Sequence, residues 1–95
     1  MFWCKTFTKN GQLVVAICDE NLLGKKIGSK FKVEIKESFY KGEKIDGERA
    51  IDLMGKANIC NLMGKNIVKL ASEKKFISKE NIILIDDVPH AQFIK

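Results

Sequence analysis

Arginine, proline, histidine and long apolar runs are scarce in this chain. It has one proline, one histidine and one arginine, Arg49, against sixteen lysines. With so little arginine, bidentate reading of phosphates or guanine edges has almost nothing to work with. The longest apolar run, residues 13–18, is six residues, far short of the roughly 20 that a membrane-spanning helix needs. The cysteines, Cys4, Cys18 and Cys60, share no Cys-x-x-Cys spacing. They therefore predict neither a zinc site with His90 nor a disulfide framework. Each sits among apolar neighbours and reads as a buried thiol in a reducing compartment. No metal and no cofactor is expected.

What is present is a folded composition. The chain has 95 residues, 45% hydrophobic and 31% charged, with a net charge of +5. A chain of this size buries about 60–65% of the surface its unfolded form exposes, enough for one core. Residues 1–95 are read as a single domain. Met1 to Cys4 is apolar, but Lys5 follows at once with no basic segment before it, which predicts a cytoplasmic protein without a secretory leader. The charge is uneven. Residues 25–44 hold seven lysines and three glutamates, so an anionic partner is expected to meet that part first.

The element order predicts an α+β fold. Residues 2–8 and 13–18 read as strands, and Asn10-Gly11 between them is a strong hairpin signal. The second run does not alternate, so both its faces are expected to be covered. Asp19 reads as the cap of a short helical turn that stops at Gly24. Residues 31–37 alternate strictly and predict a third strand with Phe31, Val33 and Ile35 inward. Residues 38–45 read as a loop. Asp46 caps a helix running to about Lys56, with Ala50, Leu53, Met54 and Ala57 on one face. Residues 57–62 suit either a strand or a loop. A second helix runs from Leu62 or Gly64 to Lys75. Residues 82–85 predict a short buried strand, and residues 91–94 an edge strand after Pro89. The expected architecture is an N-terminal antiparallel sheet, hairpin plus third strand, packed with two helices and one or two C-terminal strands.

Polar residues interrupt two apolar stretches, Ala57 to Lys65 and Val88 to Lys95. Asn58, Asn61, Gly64, Lys65, His90 and Gln92 are the candidate ligand- or anion-binding residues. The N–H groups at a helix start attract anions, and Gly64 permits close approach. Asn61 equally suits a helix cap. His90, with Asp86 and Asp87 nearby, suits either proton transfer or a polar turn. No catalytic residue is assigned. Phe39 and Tyr40 beside Lys41 suit stacking on unpaired bases, or packing under the sheet edge. With Lys25, Lys26 and Lys30 they form the candidate RNA-binding set. Gly24 to Lys30 is not a phosphate loop, because its glycine spacing is one residue short and Ser29 and Lys30 are in the wrong order.

Four motifs occur in order: Cys18-Asp19-Glu20-Asn21-Leu22-Leu23-Gly24-Lys25, Glu37-Ser38-Phe39-Tyr40-Lys41-Gly42-Glu43, Ala57-Asn58-Ile59 with Asn61-Leu62-Met63-Gly64, and Val88-Pro89-His90-Ala91-Gln92. Together they resemble an archaeal family of small stand-alone proteins catalogued as domain of unknown function 424. The resemblance implies a one-domain archaeal protein, and by association an accessory of translation or of ribonucleoproteins. It carries over no catalytic role.

The sequence thus predicts a binding module rather than an enzyme, with RNA or a ribonucleoprotein as its partner. Two alternatives stand beside it. One is a small-ligand protein or enzyme with a pocket around Asn58, Asn61 and His90. The other is a homodimer formed through an edge strand, 82–85 or 91–94.

Overall fold

Asn10 and Gly11 both have positive φ, 52° and 77°, as a two-residue type I′ turn requires. They fold β1 (Phe2–Lys9) onto β2 (Gln12–Asp19) in an antiparallel register from Phe2 opposite Asp19 to Lys9 opposite Gln12. This computed structural model describes residues 1–28 and 32–95. The expectations for Ser29, Lys30 and Phe31 lie outside the described residues.

After β2 the chain makes an excursion. It contains a two-stranded ribbon, β3 (Lys26–Ile27) with β4 (Val33–Glu34), and the single helical turn α1 (Glu37–Tyr40). The expected third strand is therefore confined to β4 and does not join the main sheet. Its neighbour is β3, and Ile35, fully buried, holds the ribbon through backbone bonds with Gly24 and Lys25. The expected loop 38–45 instead contributes β5 (Glu43–Ile45), which pairs with β1.

Asp46 caps α2 (Gly47–Lys56) as expected, accepting a hydrogen bond from the Arg49 N–H at 2.9 Å. Residues 57–62 resolve to a strand, β6 (Ile59–Met63), and α3 (Lys65–Glu73) follows after Gly64. The last strands are β7 (Ile82–Ile85) and β8 (Val88–Ile94), which form a hairpin.

The main sheet has the order β5-β1-β2-β6-β8-β7, with β2 and β6 parallel. Two expectations reverse here. The strand expected at the edge, β8, lies inside the sheet between β6 and β7. The strand expected to be buried, β7, is the edge, with Ile83 57% and Leu84 66% exposed. Pro89 is tolerated inside because of where its missing N–H points. Its C=O accepts from Gly64 N–H on the β6 side, and the absent donor faces that same side, just past the last residue of β6.

The two sheet faces are covered differently. Helices α2 and α3 pack on one face over Cys4, Val15, Ile17, Cys60, Leu62 and Ala91. The excursion covers part of the other face, where Ala16, Cys18 and Met63 pack with Ile35, Tyr40, Leu22 and Ile27. Each such Ile or Leu side chain contributes about 1.5–3 kcal/mol when fully buried. This explains the unbroken apolar run of β2: it is central and covered on both sides. Among the described residues no helix is long and apolar enough to cross a membrane.

Candidate functional site

The start of α3 has its own anion. Asp19, at the end of β2, is buried and accepts from Asn66 N–H and Ile67 N–H, each at 2.9 Å. Backbone donors at a helix N-terminus are otherwise unpaired, and a carboxylate there is favoured by the helix dipole. Gly64, with φ 122°, leaves room for that carboxylate, since a Cβ there would overlap the Asp19 side chain. The anion seat expected at Asn61 to Lys65 is thus filled from within the chain. Asn61 is not the cap but a residue of β6, and Lys65 is exposed at the first position of α3. Asp19, expected to cap the turn after β2, makes no side-chain bond there.

Asn58 also has a local use. Its Oδ1 accepts from Leu13 N–H at 2.8 Å, and its backbone bonds Leu13 and Lys95. It ties the start of β6 to β2 and to the chain end, and it does not reach the cavity described next.

Cross-strand partners share a face of a sheet. On the face opposite the helices, the register sets three parallel rows. Trp3, Cys18, Met63, His90 and Ile83 form one, Lys5, Ala16, Asn61 and Gln92 the next, and Phe7, Val14, Ile59 and Ile94 the third. The excursion covers the first row in part and reaches the other two at Ala16, Lys5 and Phe7. At its margin is a cavity of about 400 Å³. Phe7, Phe39 and Tyr40 supply its aromatic walls, Asn61 and His90 its floor, and Glu34, Lys36 and Ser38 further polar lining.

The aromatic walls are organised. Phe39 lies 5.7 Å from Phe7, ring centre to ring centre, and meets Tyr40 edge-on at 4.9 Å. Tyr40 is buried, which raises its hydroxyl pKa, while Phe39 stays 37% exposed. Lys5 Nζ donates to the Ser38 carbonyl at 2.8 Å and so fastens α1 to β1. The His90 ring is half-buried. Its Nδ1 is buried with no hydrogen-bond partner among the described residues. Burial holds the His90 pKa below its ordinary value, with the Leu62 backbone pulling the other way. A neutral imidazole carries one donor and one acceptor, and Asn61 carries an amide with both.

The structure therefore joins two sets that are distant in sequence. Asn61, His90 and Gln92 share one sheet face, and Asn61 and His90 meet Phe39 and Tyr40 around the cavity. Lys41 lies elsewhere on that side, 5.6 Å from the Trp3 ring with Lys44 at 5.8 Å, and pairs with Glu37. Lys25 and Lys26 are exposed around the start of β3. Phe7, Lys36 and Ser38 were not singled out from the sequence. The alternation of Trp3, Lys5 and Phe7 along β1 is the signal that places Phe7 on this face.

The thiols take no part. Burial raises Cys4 to about 11 and Cys18 and Cys60 to about 12, which leaves almost no thiolate near neutrality. Among the described residues no group of three His, Cys, Asp or Glu side chains is placed to hold a metal.

Residues 7–95 match the family model described as "Protein of unknown function (DUF424)", and the chain belongs to that family. No match is found among curated proteins. Among solved structures, the chain is similar to the crystal structure of an uncharacterized conserved protein from Methanopyrus kandleri. The TM-score is 0.81 at 22% identity, covering 97% of this chain and 89% of that one. At that identity the likeness establishes the fold.

Proposed function

We propose that the chain is a small RNA-binding module that takes an unpaired base into the cavity beneath Phe39. The observation that carries this reading is the convergence of an aromatic pair, Phe7 and Phe39, with the hydrogen-bonding groups of Asn61 and His90 around one open cavity. Single-stranded RNA is recognised by stacking bases on aromatic side chains and hydrogen-bonding their edges. Glu34 offers an acceptor for an exocyclic amine, and Lys36 a cation for the neighbouring phosphate. Among the described residues neither Lys36 nor Lys9 is engaged in an ion pair. A net charge of +5 favours the encounter.

The test is a titration of the whole chain with a short single-stranded RNA at about 50 and about 200 mM salt. Affinity is expected to fall with salt. Phe39→Ala is expected to weaken binding by about 1–3 kcal/mol, the value of one base–aromatic stack, while leaving the fold intact. Absence of binding at low salt, or binding indifferent to salt and to Phe39→Ala, overturns the reading.

The cavity volume supports a second reading. About 400 Å³ falls within the range of small-molecule sites, roughly 300–1,000 Å³. A free planar heteroaromatic ligand fits the same groups. Equal binding of a nucleoside and of RNA separates this reading from the first.

A further inference from the structure

Phe7 and Phe39 line a second cavity as well as the first. It measures about 510 Å³, and its other walls are Thr8, Lys9, Val14 and Ile59. We infer that the two cavities hold two successive bases of one RNA strand, with Phe39 between them; this rests on the RNA reading above.

Three observations carry the inference. The first is the shared wall. Phe39 belongs to both cavities and remains 37% exposed, so a base on either side of it covers apolar ring surface that water now meets.

The second is alignment. The first cavity runs across all three rows, from Met63 and His90 through Asn61 to Phe7, and the second continues past Phe7 and Val14 to Lys9 at the end of β1, so the two follow one line along the strands.

The third is the contrast in chemistry. The first cavity offers an amide, an imidazole, a carboxylate and a hydroxyl, from Asn61, His90, Glu34 and Ser38. The second offers Thr8 and Lys9 in an otherwise apolar lining. The base in the first cavity is therefore read by its edge. The base in the second is held by stacking and apolar contact, which every base satisfies. Lys36 at one cavity and Lys9 at the other mark the two ends of the backbone path. Selectivity at one position followed by tolerance at the next is the expected pattern.

The experiment titrates the whole chain, by backbone amide NMR, with adenosine monophosphate and with the dinucleotide ApA at low salt. ApA is expected to bind about tenfold or more tighter, by the worth of a second stack. It is also expected to shift the amides of Thr8, Val14 and Ile59, which the mononucleotide leaves in place. Ile59→Gln is expected to remove the advantage of ApA while leaving mononucleotide binding unchanged. The exposed Lys9→Ala reads out the same site should Ile59→Gln not fold. Equal affinities for the two ligands, with Thr8, Val14 and Ile59 unmoved, overturn the second base site and leave the first standing. Failure of both ligands to bind overturns the RNA reading together with this extension. Dinucleotide binding insensitive to both variants overturns the inference.

Discussion

The carboxylate of Asp19 occupies the space that a side chain on Gly64 would need, with its Oδ2 2.6 Å from the position of that missing Cβ. The two residues are 45 positions apart in sequence, and between them they decide where α3 begins. Gly64→Ala is expected to destabilise the protein by about 2 kcal/mol or more, since overlap with the carboxylate adds to the strain of a φ of 122°. Gly55 is the control. It lies in α2 with nothing within 4 Å of its missing Cβ, so Gly55→Ala is expected to stabilise by about 0.5–1 kcal/mol. Urea unfolding of both variants checks the pair, and equal midpoints sink the account.

Asp19→Ala removes the acceptor for two helix-start donors. A hydrogen bond to a charged group contributes about 1.5–3 kcal/mol, and a buried donor left unpaired costs further. A loss of about 2–4 kcal/mol is expected, with faster hydrogen exchange at the Asn66 and Ile67 amides. Unchanged exchange at those two amides would show that the carboxylate does not hold the helix start.

Asn58 and Asn61 separate structure from binding. Asn58→Ala is expected to cost about 1–2 kcal/mol of stability through the lost bond to Leu13 N–H, with RNA affinity unchanged in the folded fraction. Asn61→Ala is expected to do the reverse. Thermal unfolding and RNA titration of the two variants, run side by side, check this.

Stability is expected to fall as pH drops below about 6.5. Burial holds the folded-state pKa of His90 below the 6.5 of an exposed imidazole. Between those two values the unfolded chain binds a proton that the folded chain does not, so stability rises with pH across that window. The contribution is complete above the unfolded value and is lost as pH falls through the folded one. His90→Gln is expected to flatten this part of the profile. A histidine-dependent slope of opposite sign, with stability gained on acidification, contradicts the burial argument.

The β7 edge is uncharged and shows apolar residues on both faces, Ile83 and Leu84. Such an edge templates pairing with another strand. Concentration-dependent association is expected by sedimentation, and Leu84→Lys is expected to suppress it without lowering the unfolding temperature. A monomer at all concentrations removes β7 as a self-association surface.

Local chemistry was legible in advance. Asn10-Gly11 needs only its own two dihedrals to close a hairpin, and Asp46 needs only a donor three residues away to start α2. Expectations resting on neighbours further off were the ones revised. Asp19 resembles a cap for the turn that follows it, yet its partners come from α3. The runs at 82–85 and 91–94 are both apolar enough for a buried strand, and the pattern alone does not say which one β6 will choose. The polar residues Asn61 and His90 were visible as interruptions, whereas their meeting with Phe7 and Phe39 was not.

By itself the sequence determined an α+β domain with buried thiols, a lysine-rich stretch at 25–44 and a set of out-of-place amides and an imidazole, because periodicity, turns and caps act within a few residues. Only the tertiary structure decided strand order, which carboxylate starts α3, and which side chains share the cavity. Those depend on pairings across tens of residues, where many partners satisfy the same local pattern and packing on the two sheet faces selects one.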